Sequence, residues 1–212
     1  MEIENHKEEV PFEHYLEKYK SLDPKEAAQR LNIVYDETEQ KFGIRFMGHS
    51  YEVHFPEFEI KALDEEEKDG LLMTSLPAKT FILRYLLEGQ YVQSSGKFMT
   101  FREVPTYGEL YIQPFTGRCI KRLTYGFGFK LKAFAEGMEK IPGVKKIPMG
   151  DVAYEFELID GYRMRFIFWA GDEEFPPSAQ ILYSDNFQFG FHAEDMVVAG
   201  DLSITTLKRL CA

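Results

Sequence analysis

Residues 151–169, DVAYEFELIDGYRMRFIFW, constrain the fold of this chain more than any other stretch. Val152, Tyr154, Phe156 and Leu158 alternate with Ala153, Glu155 and Glu157, which is the period of a half-buried strand. Asp160-Gly161 is a dipeptide favoured by two-residue hairpin turns, because glycine takes positive φ at no steric cost. The return run from Tyr162 to Trp169 sets Arg163 and Arg165 against Glu155 and Glu157. The pattern predicts an antiparallel hairpin with an aromatic inner face and cross-strand ion pairs outside.

The N-terminal part carries a second region of period two. In NIVYDETEQKFGIRFMGHSYEVHFPEFEIKAL the apolar bursts fall at 33–35, 42–47, 51–55 and 58–63, separated by polar or glycine breaks. This reads as an antiparallel meander over about 31–63, with Gly48-His49-Ser50 as its tight connection. Helices are expected around it. Phe12, Tyr15, Leu16 and Tyr19 form one stripe, and Asp23-Pro24-Lys25-Glu26 has the N-cap, the proline at N1 and the acid of a capping box. Leu76–Leu87 is expected as a helix with Pro77 near its start and Gly89 past its end, and 109–123 and 127–140 as further helical stretches.

Asp64–Asp69 reads as a solvated loop, and a short extended piece is expected around Phe98–Phe101. Ile181–Tyr183 is a third strand beside the hairpin. Phe187, Phe189 and Phe191 alternate with Gln188 and Gly190, so the hairpin region is expected to run over about 151–191. Glu194 to Leu210 is mixed and ends in a helix. The fold class is α+β, one domain over 12–212 with central and terminal helices, behind an acidic tail at 1–11.

Composition narrows the function classes. Aromatics make up 15% of the 212 residues, far too many for a disordered chain. A net charge of −10 argues against a broad nucleic-acid surface, which needs clustered Lys and Arg. Cys119 and Cys211 lie far apart with no C-x-x-C pair, so two reduced thiols are expected rather than a cluster, a zinc ribbon or a disulfide. The start, MEIENHKEEV, lacks the apolar core of a signal peptide, and no run of about 18 apolar residues exists to span a membrane. The expectation is a cytoplasmic protein without nucleic-acid or membrane partners.

The candidate site residues are few. Asp172, Glu173 and Glu174 follow Trp169 and precede Pro176-Pro177. Adjacent carboxylates could hold a hard cation or divide acid and base roles. Neighbours in an extended segment splay apart, so the favoured reading is a proline-stopped turn whose carboxylates are satisfied locally or by an arginine such as Arg102. Gly96-Lys97 could hold a phosphate or carboxylate, although it lacks P-loop spacing. Tyr125–Phe129, YGFGF, has neither the third glycine nor the preceding strand of a dinucleotide site. His49 and His54 are weak metal candidates, brought near each other if a turn separates them. Trp169 and the phenylalanines at 166, 168, 175, 187, 189 and 191 could line a flat pocket, but strand spacing favours core.

Four segments carry a resemblance: GHSYEVHFPE, GKFMTFREVP, DVAYEFEL and WAGDEEFPPSAQILYSDNFQFGFHAEDMVVAGDL. In this order and spacing the chain resembles the bacterial and archaeal domain of unknown function (DUF) family 3786, from about residue 12 to 208. The resemblance implies a setting in anaerobes and in corrinoid or one-carbon metabolism, since some members carry an iron–sulfur module. With two cysteines this chain cannot build such a cluster, and the family supplies no catalytic residues. The expected function is an accessory protein binding a small ligand or a partner protein. The alternative is a hydrolase-like or cofactor-processing enzyme using 172–174 with Arg102. Cofactor and oligomeric state are open at this point.

Overall fold

The computed structural model describes residues 7–105 and 108–211. Their contacts gather into two compact units. One holds the chain through Ile44 together with His49–Tyr91, and the other holds Arg45–Gly48 and the chain from Val92 onward. Residues 1–6 of the expected tail lie outside the described residues, and residues 9–11 form the first turn of a helix.

The first unit contains α1 (Glu9–Tyr19), α2 (Pro24–Leu31), β1 (Val34–Asp36), β2 (Lys41–Phe46, its last two residues in the second unit), β3 (His49–His54), β4 (Ile60–Ala62), α3 (Leu71–Thr74) and α4 (Leu76–Glu88). The Asp23 carboxylate accepts the Lys25 and Glu26 N–H groups at 2.9 and 3.1 Å, and Pro24 opens α2 as its sequence predicts. β1 to β4 pair antiparallel in chain order. Their inner face closes on Tyr19, whose ring meets Phe42, Phe55 and Phe58 at centroid distances of 6.4, 5.4 and 5.3 Å. The Tyr19 hydroxyl donates to the His54 carbonyl at 3.2 Å, which satisfies its polar end inside the core. α4 is capped by Ser75, whose side chain accepts the Ala78 N–H, and it packs on α1 with Arg84 over the Tyr15 ring.

The second unit contains β5 (Phe98–Thr100), α5 (Gly108–Phe115), a π-helical stretch Thr116–Lys121, α6 (Arg122–Phe127), α7 (Leu131–Met138), β6 (Lys145–Lys146), β7 (Val152–Ile159), β8 (Tyr162–Trp169), β9 (Ser178–Ser184), α8 (Phe187–Gly190) and α9 (Ala193–Leu210). The β7–β8 hairpin forms as predicted, with Asp160 and Gly161 at φ of 37° and 90°. β9 pairs with β8, and β5 pairs with β9, again antiparallel. Glu155 stands opposite Arg165, and Glu157 opposite Arg163. One Glu155 oxygen accepts from Arg163 Nε at 2.7 Å, and the other accepts from Arg165 Nε and Nη2 at 2.9 and 2.7 Å. The Arg165 guanidinium also lies 3.6 Å from the Phe98 ring centroid.

On the inner face Phe134 of α7 meets Phe168 edge-on at 4.6 Å and Tyr154 at 5.8 Å. α9 covers the rest: the Tyr183 hydroxyl donates to the Met196 carbonyl, and the Ser203 hydroxyl reaches Met164 Sδ. Gly200 is required there. A Cβ at that position would come within 2.8 Å of Cys119 Sγ, in the π-helical stretch.

The α+β class with antiparallel strands is as expected, and four local expectations change. Residues 187–190 form a helical turn, not a strand, so the β region ends at Ser184. Over so short a segment, 187/189/191 fits period two while 187/190/191 fits a helix. Packing selects the helix by placing Phe187 5.4 Å from Tyr162 and Gly190 against the Tyr162 hydroxyl. Residues 193–210 are one 18-residue helix, because a buried face at helical spacing overrides the weak propensities of Gly200 and the β-branched 204–206. The tight connection is Met47-Gly48, both at positive φ, and His49 and Ser50 are already in β3. The acidic run is a 3₁₀ turn over Glu65–Glu67, with Asp64 and Glu67 engaged by His49.

Burial pushes the Glu155 carboxyl up, but the bonds from Arg165 and Arg163 outweigh it, and the group titrates below the ordinary glutamate range. A depressed carboxyl contributes stability that is complete above its unfolded pKa of about 4.3 and is lost as pH falls through the folded value. Glu155→Gln is therefore expected to cost about 2 kcal/mol at neutral pH, short of the full penalty for breaking a buried pair because the site is partly solvated. Urea titrations from pH 7 to pH 3 should show wild type and variant converging on the acid side.

Candidate functional site

The segment after β8 builds the most distinctive surface of the second unit. The Asp151 carboxylate accepts the Ala170 N–H at 2.7 Å where the chain leaves the sheet. Asp172 Oδ1 then accepts the Glu174 and Phe175 N–H groups at 2.8 and 2.7 Å, and the Asp172 N–H donates to the Phe175 carbonyl at 2.9 Å. This is a closed Asx turn. The backbone donors of Phe175 and Glu174 hold the Asp172 carboxyl below its usual range. Glu173 and Glu174 stand exposed.

Two glycines seat this turn on the bend after α6. A Cβ at Gly171 would come 2.7 Å from Pro177 Cδ, and one at Gly128 would come 2.8 Å from Pro177 Cγ. The turn and the bend thus share Pro177, and both segments carry large exposed rings. Phe129 is 84% exposed, Tyr125 80%, Phe175 67% and Trp169 39%. A chain that buries Phe134, Phe156, Phe166 and Phe168 completely leaves these four outside. Trp169 and Phe175 lie on the acidic segment, Tyr125 and Phe129 on the one that Gly128 seats against Pro177, and together these exposed rings are called the aromatic ledge.

The other candidates sit elsewhere. Arg102 is exposed in a 3₁₀ turn, and among the described residues no hydrogen bond or ion pair joins it to 172–174. The glycine-led loop before Lys97 already serves a carboxylate of the chain itself. Asp185 accepts the Ser94 hydroxyl at 2.6 Å and the Ser95 N–H at 3.1 Å, and its own N–H donates to the Lys97 carbonyl at 3.0 Å. The hydroxyls of Ser94 and Ser95 hold Asp185 below its usual range, while the Lys97 side chain is exposed.

The two histidines are not brought together. Both lie on β3, an odd number of residues apart, so they occupy opposite faces about 16 Å from one another. His49 is buried, with Nδ1 3.0 Å from Asp64 and Nε2 3.7 Å from Glu67, and Glu67 also accepts the Tyr51 hydroxyl at 2.7 Å. Its place between two carboxylates ties the 64–67 turn to β3. Among the described residues no group of three or more His, Cys, Asp or Glu side chains is placed to hold a metal ion. Both cysteines are free thiols. Cys119 donates to the Val197 carbonyl, and burial pushes its thiol up to about 12.

The ledge residues Tyr125 and Phe129 do not stand out in the sequence as site residues. YGFGF draws attention only as a failed dinucleotide fingerprint. The signal it does hold is two aromatics flanking glycines in a segment too short to bury both.

A family model described as a domain of unknown function (DUF3786) matches residues 23–206. The chain belongs to this family. No curated protein and no solved structure is matched. The DUF3786 match takes in residues of both compact units and includes the ledge, the acidic turn, Lys97, Arg102, His49 and His54. Among the described residues no helix is long and apolar enough to cross a membrane.

Removing the Asx turn should loosen the ledge locally. Asp172→Ala is expected to speed amide hydrogen exchange at Glu174 and Phe175, and proteolytic nicking within 171–176, with the melting temperature nearly unchanged. Asp172→Asn keeps an acceptor oxygen, and its effect should be milder. Equal protection in all three proteins would show that the carboxylate does not hold the turn.

Proposed function

We propose that this DUF3786 protein is a non-enzymatic accessory protein that binds a partner protein through the aromatic ledge. One observation carries the reading: Tyr125, Phe129, Phe175 and Trp169 are exposed on the two segments that meet at Pro177. Burying such rings removes about 150–250 Å² each from water, and aromatic side chains dominate the binding energy of protein interfaces. Rings this exposed do not line a concavity that would enclose most of a small ligand, so a protein surface is the better occupant.

The enzyme alternative asks for carboxylates desolvated in a cleft with convergent donors. Asp172 instead is bonded to its own turn, and Glu173 and Glu174 are surrounded by solvent. We set the partner in anaerobic corrinoid or one-carbon metabolism, as the family resemblance implies. Any electron-transfer step there would belong to the partner, because this chain has two cysteines.

The double variant Phe129→Ser/Phe175→Ser alters exposed positions and should fold like wild type. With both proteins as bait in extract of the native organism, quantitative mass spectrometry is expected to show a partner retained by wild type and depleted about 30-fold by the variant. An identical captured set would defeat the proposal. A shift in the cobalamin absorbance spectrum on mixing with wild type would mark a small-ligand protein instead.

A further inference from the structure

We infer that the segment bound by the ledge is basic, with Lys or Arg side chains flanking apolar ones; the inference rests on the partner-binding reading above. The edge of the ledge formed by the 169–177 turn carries Asp151, Asp172, Glu173 and Glu174, all exposed. Among the described residues none of these carboxylates is paired with a lysine or arginine. Lys130 follows Phe129, and the Lys208 chain lies 3.2 Å from where a Gly126 Cβ would be, so these cations belong to the segment of Tyr125 and Phe129, while the acids belong to that of Trp169 and Phe175.

A partner cation entering on the acidic side finds two complementary groups at once. It can pair with a rim carboxylate and lie over a ring face, an arrangement that suits an arginine guanidinium. The net charge of −10 steers basic segments toward the molecule as a whole, and the rim sets where they dock. An anionic bilayer is the other surface that takes exposed Trp and Phe. The same rim carboxylates repel its headgroups, so a protein segment is favoured.

The test uses the full chain and two synthetic peptides sharing the same Trp, Leu and Phe residues, one interspersed with Arg and Lys and the other with Glu. Fluorescence anisotropy at low salt is expected to show the basic peptide binding about tenfold tighter than the acidic one, with the difference shrinking near 0.3 M salt, roughly. Glu173→Lys/Glu174→Lys should weaken the basic peptide about tenfold. Glu65→Lys/Glu66→Lys makes the same charge change on the exposed turn of the first unit, and it should leave the affinity unchanged.

The inference is overturned if the two peptides bind alike, if the basic peptide does not bind, or if the 65/66 variant weakens binding as much as the 173/174 variant. Co-sedimentation with phosphatidylserine vesicles would overturn it as well. If Phe129→Ser/Phe175→Ser loses both peptides equally while charge reversal does nothing, the ledge stands and its basic preference falls. If that variant holds the basic peptide like wild type, the ledge reading fails and this inference fails with it.

Discussion

The second unit depends on closure of the β7–β8 hairpin at Asp160-Gly161, because that turn fixes which side chains share a face. Positive φ at both residues gives the turn a twist that matches the strands. The Asp160 carboxylate also accepts the Arg45 N–H at 2.9 Å, and Phe46 pairs with Ile159 beside it. A register slip of one residue would exchange the two faces of a strand. It would turn Glu155, Arg163 and Arg165 toward α7 and α9, and Tyr154, Phe156 and Phe166 toward water. The Glu155 bonds to both arginines hold the outer face in the same register that the aromatic core demands. Charge pairing and burial therefore select one arrangement, and the inner face becomes a fixed seat for Phe134 and the length of α9.

The parts of this fold legible in the sequence are those where a local signal and a packing demand agree. The hairpin has its alternation and its Asp-Gly turn, and α2 has Asp23 and Pro24. Where two local signals compete, the outcome is decided by contacts that the sequence does not display. Residues 187–191 fit either period, and the space around Tyr162 chooses the helical turn. Gly200 weakens the helical reading of α9, but its missing side chain is what admits Cys119. His49 and His54 look adjacent until the turn moves two residues toward the N-terminus and puts both on one strand.

The candidate site was less legible than the fold, for a physical reason. Period and composition report whether an aromatic residue belongs to a strand or a helix; they do not report whether its face is covered. Trp169 and Phe175 are near Phe168 in sequence, yet Phe168 is buried against Phe134 while the other two are in solvent. The acidic trio drew attention for its carboxylates. Its measurable contribution is architectural, since Asp172 closes the turn and so sets the position of Phe175.

The ledge and its acids are better understood together than apart. Exposed aromatic surface favours self-association, and neighbouring charge of one sign opposes it. On the two segments that meet at Pro177, the exposed carboxylates beside Trp169 and Phe175 supply like charge that would oppose contact between copies at these rings. Gly171 and Gly128 make this geometry possible, because a side chain at either position would lift the turn or the bend off Pro177. The same two glycines therefore let the two ring-bearing segments meet. A side chain introduced at either would separate Tyr125 and Phe129 from the acidic turn without changing any residue of the surface itself.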